Sequence, residues 1–149
     1  MTVDDKADLE GIGGWLALLA FAQVIGIVRL IFSLLQQFQL YGQLFGLPGG
    51  YAAIILETVL NLAVLALAFA TTFALFTKKR AFIKLFFYQW IAIPVVFVLD
   101  LIIVAVTLDV PMNMLTDSGD AKIVSTFLAV GIWVWYTRKS KRVANTMVN

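Results

Sequence analysis

The chain has 149 residues, enough for one domain, of which 62% are apolar and 13% charged, against about 45–50% and about 25% in soluble domains. A water-soluble fold of this size has too little interior to bury that much apolar surface, so the surplus is expected to face lipid. Histidine and cysteine are absent and the formal net charge is only +2, which excludes imidazole bases, thiol nucleophiles, disulfides and the usual zinc, haem and iron–sulfur ligands, and leaves no basic face for nucleic acid.

The first ten residues carry Asp4, Asp5, Asp8 and Glu10 against the single Lys6. A cleaved leader, which needs a basic start, is therefore not expected. Gly11-Ile12-Gly13-Gly14 lacks the Lys-Ser/Thr of a phosphate loop and reads as a flexible entry to a membrane span. A bilayer core of about 30 Å takes about 20 helical residues, and four segments qualify. The first covers about 12–35 and contains Gln23 and Arg29. The second, about 51–76, follows the breaker Leu47-Pro48-Gly49-Gly50 and contains Glu57 and Asn61. The third, about 82–108, contains Gln89, Pro94 and Asp100, and the fourth, about 121–137, ends in Trp133, Trp135 and Tyr136.

The runs are continuously apolar without period-two alternation, which favours helices over barrel strands. The expected fold class is all-α: a single integral membrane bundle of four transmembrane helices over residues 1–149. Pro94 predicts a kink in the third span. Ala22 with Gly26, and Ala66, Ala70 and Ala74, predict close helix approach. Trp15, Tyr51, Trp90 and Tyr136 fall near span ends, where amphipathic rings anchor in the headgroup region.

Lysine and arginine set the orientation, because short basic loops stay in the cytoplasm. Lys78, Lys79, Arg80 and Lys84 cluster between the second and third spans, and Arg138, Lys139, Lys141 and Arg142 follow the fourth. The segment 36–50 has no charge, and 109–120 has three aspartates and no basic residue. Both termini and the internal basic loop are thus expected on the cytoplasmic side.

Arg29, Glu57 and Asp100 are the charged side chains well inside spans, and such charges require partners or water. Counted from the predicted outer ends, all three fall roughly 9–12 Å below the outer surface at about 1.5 Å per residue. The expectation is a polar cluster in which Arg29 clasps Glu57, Asp100 or both, with Asn61 on the face of Glu57. Gln89 is expected on the Asp100 face, nearer the cytoplasm.

Both ends of the chain carry motif-like sequence. Gly11-Ile-Gly-Gly-Trp-Leu16 and Trp133-Val-Trp-Tyr-Thr-Arg-Lys-Ser-Lys-Arg-Val-Ala-Asn-Thr-Met147 resemble the opening GGWL and closing W-x-x-Y-x-x-x-S-x-R-V-x-x-T-F signatures of the DUF2569 family of small bacterial membrane proteins. Trp133, Tyr136, Ser140, Arg142, Val143 and Thr146 fall on motif positions, and Met147 stands where the family has phenylalanine. Glu57-x-x-x-Asn61 and Lys78-Lys79-Arg80 resemble its middle region. The resemblance implies four helices in a bacterial inner (cytoplasmic) membrane and no activity, since the family is one of unknown function. Read on its own, the basic closing segment suits topogenic charge and anionic-lipid contact, docking of a partner, or docking of the segment itself beneath the bundle.

No nucleophile and base stand at readable spacing, so no catalytic residue, cofactor or metal site is assigned and an enzyme is not expected. The leading expectation is an accessory or interaction subunit, whose partners are the bilayer and a membrane protein or a second copy. The alternative is a small proton- or cation-coupled transporter or sensor that uses Arg29, Glu57 and Asp100.

Overall fold

A computed structural model describes residues 11–111 and 120–148. The acidic N-terminal residues and Asp117 lie outside the described residues. Among the described residues five helices follow one another: α1 Trp15–Leu44, α2 Gly50–Phe76, α3 Ala81–Leu108, α4 Asp120–Lys139 and the short α5 Lys141–Thr146. The fold is all-α. Three helices, α1, α2 and α3, are long and apolar enough to cross a membrane.

The helix ends follow from local chemistry. Gly49, at φ +77, begins α2 in a left-handed conformation that glycine adopts without strain. At the other end of α2, the Lys79 N–H donates to the Ala74 carbonyl at 2.9 Å and the Lys78 N–H to Leu75 at 3.1 Å. With Lys78 at φ 54, this is the double closure that ends a helix through a left-handed residue. The turn delivers Lys78, Lys79 and Arg80 together at one end of the bundle. α1 departs most from expectation: it continues to Leu44 where the sequence predicts an end near residue 35. Gln36, Gln37, Gln39 and Gln43 lower hydropathy, but glutamine is a good helix former and does not break the backbone ladder. α3 is a single helix through Pro94.

α2 packs on both α1 and α3, and α3 packs on α4, an up-and-down order that short loops favour. Trp90, expected as an interface anchor, is instead tucked between α3 and α4. Its indole N–H donates to the Phe127 carbonyl at 2.8 Å, and its ring stacks on Phe127 with centroids 4.4 Å apart. Gly131 gives the indole room. Trp15 and Tyr51, by contrast, are exposed, as interfacial rings should be.

Burial is concentrated at one end. Leu16 and Leu19 of α1, Leu75 of α2, Phe82 and Phe86 of α3, Val134 of α4, and Val143 and Met147 at the chain's end form one buried cluster. Elsewhere the helices present large apolar side chains outward, Phe21, Phe32, Val59, Phe73 and Val106 among them. The predicted small-residue crossings are only partly used. Ala74 is buried, whereas Ala66 and Ala70 are exposed and Gly26 faces open space.

The glycines therefore separate by role. A Cβ on Gly50 would overlap the Leu44 carbonyl, whereas one on Gly26 meets nothing within 4 Å. Gly50→Ala is expected to lower thermal stability in detergent by more than about 1 kcal/mol, and Gly26→Ala to leave it unchanged or slightly raise it. Circular-dichroism melting of the two variants checks the contrast.

Candidate functional site

The two signature segments, from opposite ends of the sequence, meet at the buried end of the bundle. Ser140 interrupts α4 and starts α5: its backbone is extended, and its hydroxyl accepts from the Val143 N–H at 3.5 Å, at the long limit of a hydrogen bond. The change of direction lays α5 beneath the helices. Val143, Thr146 and Met147 are buried, at 0%, 2% and 2% exposure, while Lys141 and Ala144 face outward. That spacing is the one-sided pattern of a docked helix.

Thr146 Oγ1 donates to the Gly11 carbonyl at 3.3 Å. The Arg142 guanidinium lies over Gly13, where an added Cβ would come within 2.6 Å of a terminal nitrogen. Trp133 meets Trp15 at 5.9 Å and Tyr136 edge-on at 6.0 Å. Gly11 to Gly14, expected as a flexible entry, is thus the surface on which the closing segment docks. Of the readings of that segment, docking beneath the bundle is the one these contacts describe. Cationic side chains ring the same end, with Lys79 over Phe73 at 5.3 Å and Arg138 over Phe87 at 4.2 Å.

A second group of polar side chains lies toward the opposite end. Asn61 donates its amide to Gln37 Oε1 at 2.9 Å, which fixes the register of α1 against α2. One turn further along, Tyr41 stands beside Glu57. Its hydroxyl is buried without a hydrogen bond, yet Glu57, Asp100 and Thr58 are all close enough to act on it. Glu57 and Asp100 are close enough for their charges to act on each other. The structure brings Glu57 and Asp100 near each other, with Tyr41 and Gln37 on the adjoining turns of α1. Neither of the latter two is a charged residue, and both lie beyond the predicted end of the first span. Their spacing of one helical turn was the available signal.

Arg29 does not join them. It is exposed, and among the described residues it makes no ion pair with either acid. The physical reason is the length of α1. Because the helix runs on to Leu44, and Tyr41 is the residue level with Glu57, Arg29 stands roughly 18 Å away along the helix at about 1.5 Å per residue.

Between the two groups lies a cavity of about 420 Å³, bounded by all four long helices and lined by Gln23 and Gln89 among apolar side chains. Gln23 is 8% exposed, and Gln89 Oε1 is buried without a hydrogen-bond partner. Among the described residues no group of three or more acidic side chains stands ready for a metal ion.

The chain matches the family described as "Protein of unknown function (DUF2569)" over residues 9–148. It belongs to that family. No curated protein and no solved structure matches the chain. The DUF2569 match includes both docked segments and the long helices between them, so the contact of the chain ends lies wholly inside the family's extent. In this DUF2569 chain Met147, near the end of the match, is buried at 2% exposure and supplies apolar bulk to the cluster.

Met147→Ala is expected to cost about 2–5 kcal/mol of thermal stability, and Lys141→Ala less than about 0.5 kcal/mol. Limited proteolysis should then cleave the closing segment of the Met147 variant first, because loss of docking frees α5 before the long helices.

Proposed function

We propose that the chain is an interaction subunit of a larger membrane assembly. In this reading α4 is a fourth span, both termini face the cytoplasm, and the membrane is the bacterial inner membrane. Arg29 is the observation that carries it. An arginine at the centre of a membrane helix costs about 2.5–3.5 kcal/mol on insertion scales, and among the described residues this one has no acidic counter-ion. It shares an outward face with Ile25, Val28 and Phe32, which are 42%, 46% and 62% exposed. A span from another protein, bearing a carboxylate, removes the cost and covers the apolar side chains at once. A two-fold pair of identical chains through this face would set Arg29 against Arg29. The charge therefore favours a different membrane protein over a second copy.

The absence of cysteine from the sequence makes the test direct. Ile25→Cys or Phe32→Cys, labelled with a benzophenone maleimide and irradiated in native membranes, is expected to give an adduct with a second, different polypeptide. Arg29→Leu should abolish the adduct while changing the stability of the isolated chain by less than about 0.5 kcal/mol. No adduct, or one indifferent to Arg29→Leu, would overturn the proposal. A stability loss of about 3–5 kcal/mol would mean that Arg29 is paired inside the chain after all.

A second reading is supported by the carboxyl pair. Glu57 and Asp100 act on each other and on Tyr41, and Arg29 is too far along α1 to neutralise them. Two carboxyls at one level are a means of holding a proton or a cation in a coupled transporter or sensor. If they do so, Glu57→Gln in proteoliposomes should lose proton or cation flux. Equal flux in the variant and the parent chain sinks this reading.

A further inference from the structure

We infer that the cavity between α1 and α4 is a binding site for a neutral, hydroxyl-bearing lipid. Three features select the ligand. None of the lining residues is charged, so a charged headgroup has no counter-ion there and a neutral one is favoured. The volume, about 420 Å³, falls within the range of about 300–1,000 Å³ for small-molecule sites. It is too small for a partner helix, which is about 10–12 Å across with its side chains and longer than the cavity.

The third feature is the pair of amides. Gln89 Oε1 is buried with no partner. Gln23 is more than nine-tenths buried, at 8% exposure, and makes no side-chain hydrogen bond among the described residues. Both line the same otherwise apolar space. An amide offers an acceptor oxygen and a donor nitrogen, and a hydroxyl can serve either. A ketone or ester oxygen, which only accepts, leaves the glutamine oxygen unsatisfied. The remaining walls, Leu19, Leu30, Phe86 and Val96, suit an aliphatic tail.

Access is lateral. α1 and α4 are not among the strongly packed helix pairs, and Ala22 and Ala129, one on each helix, are both exposed at the cavity wall. Small side chains there leave a mouth through which a tail can pass into the bilayer. The inference rests on the reading of α1 and α4 as spans. It does not need the Arg29 partner, and because binding is read on the isolated chain the two proposals fail separately.

The test is a titration of the purified full chain in lauryldimethylamine oxide, a detergent without hydroxyls, with 1-oleoylglycerol, followed by native mass spectrometry, with methyl oleate as the ester that lacks hydroxyls. The expected result is a saturable one-to-one adduct with 1-oleoylglycerol and about tenfold weaker binding of methyl oleate, a difference that one or two hydrogen bonds supply. Gly26→Leu points a side chain into space where nothing lies within 4 Å of the added Cβ, and should remove the adduct without lowering the melting temperature. Ala129→Leu fills the opposite wall and serves if the first variant fails to fold. Gln23→Leu with Gln89→Leu should bring the two ligands to equal affinity. Equal binding of both ligands by the parent chain, no saturable adduct at all, or an adduct undiminished in a folded cavity-filling variant, would overturn the inference.

Discussion

Thr146 reaches back across the whole chain to the Gly11 carbonyl, and beneath that bond Val143 and Met147 close the underside of Leu16, Leu75, Phe82 and Phe86. Helices surrounded by lipid gain little from burying apolar side chains against one another, because lipid tails are equally apolar. At a boundary with water the same burial is driven strongly. The most buried side chains collect at the end of the bundle where four helix ends and α5 meet, as that contrast requires. With α4 ended at Ser140 and α5 folded under α1, the first and last helices are held at one end even though they pack little along their length.

The remaining organisation follows from fixing one end only. Away from the docked segments, α1 and α4 diverge enough to leave a cavity with two glutamines inside it. α2 and α3, joined by a tight basic turn, stay together and bring Glu57 and Asp100 near each other. A polar register between α1 and α2, Asn61 on Gln37, then places Tyr41 beside the acids and leaves Arg29 far from them on an outward face. The same chain thus has a firm end, a looser middle with unsatisfied amides, and, in Arg29, a charge that no described residue of its own fold pairs. Each of the proposed interactions uses a group that the bundle leaves unsatisfied.

Much of the helix pattern was legible in the sequence, because apolar length and the breakers Pro48-Gly49-Gly50 and Lys78-Lys79-Arg80 act locally. The starts of α2 and α3 fall within one residue of expectation. The end of α1 was not legible from hydropathy, since Gln36 to Gln43 mark a change of polarity without a change of backbone. That single error displaced Arg29 by several turns and created the expectation of a clasp. Glu57 and Asp100 come near each other because each stands 19 residues from the end of its helix at the turn that α2 and α3 share. The docking of α5 on Gly11 was beyond sequence reasoning alone: nothing local links residues at opposite ends of a chain, although the two motifs marked both surfaces. Gln23 stood in the sequence only as a polar residue of the first span, and the cavity is its environment.

The central claim, that the chain ends dock as one unit under the bundle, is tested most directly by a spin-label distance in a chain that otherwise lacks cysteine. Labels at Ala144→Cys on the outer face of α5 and Ala81→Cys at the start of α3 occupy exposed positions beside the buried Val143 and Phe82. Pulsed electron–electron dipolar spectroscopy in lipid nanodiscs should give one short, narrow distance distribution that broadens and lengthens in Met147→Ala. A broad distribution in the parent chain, indifferent to Met147→Ala, would contradict the account.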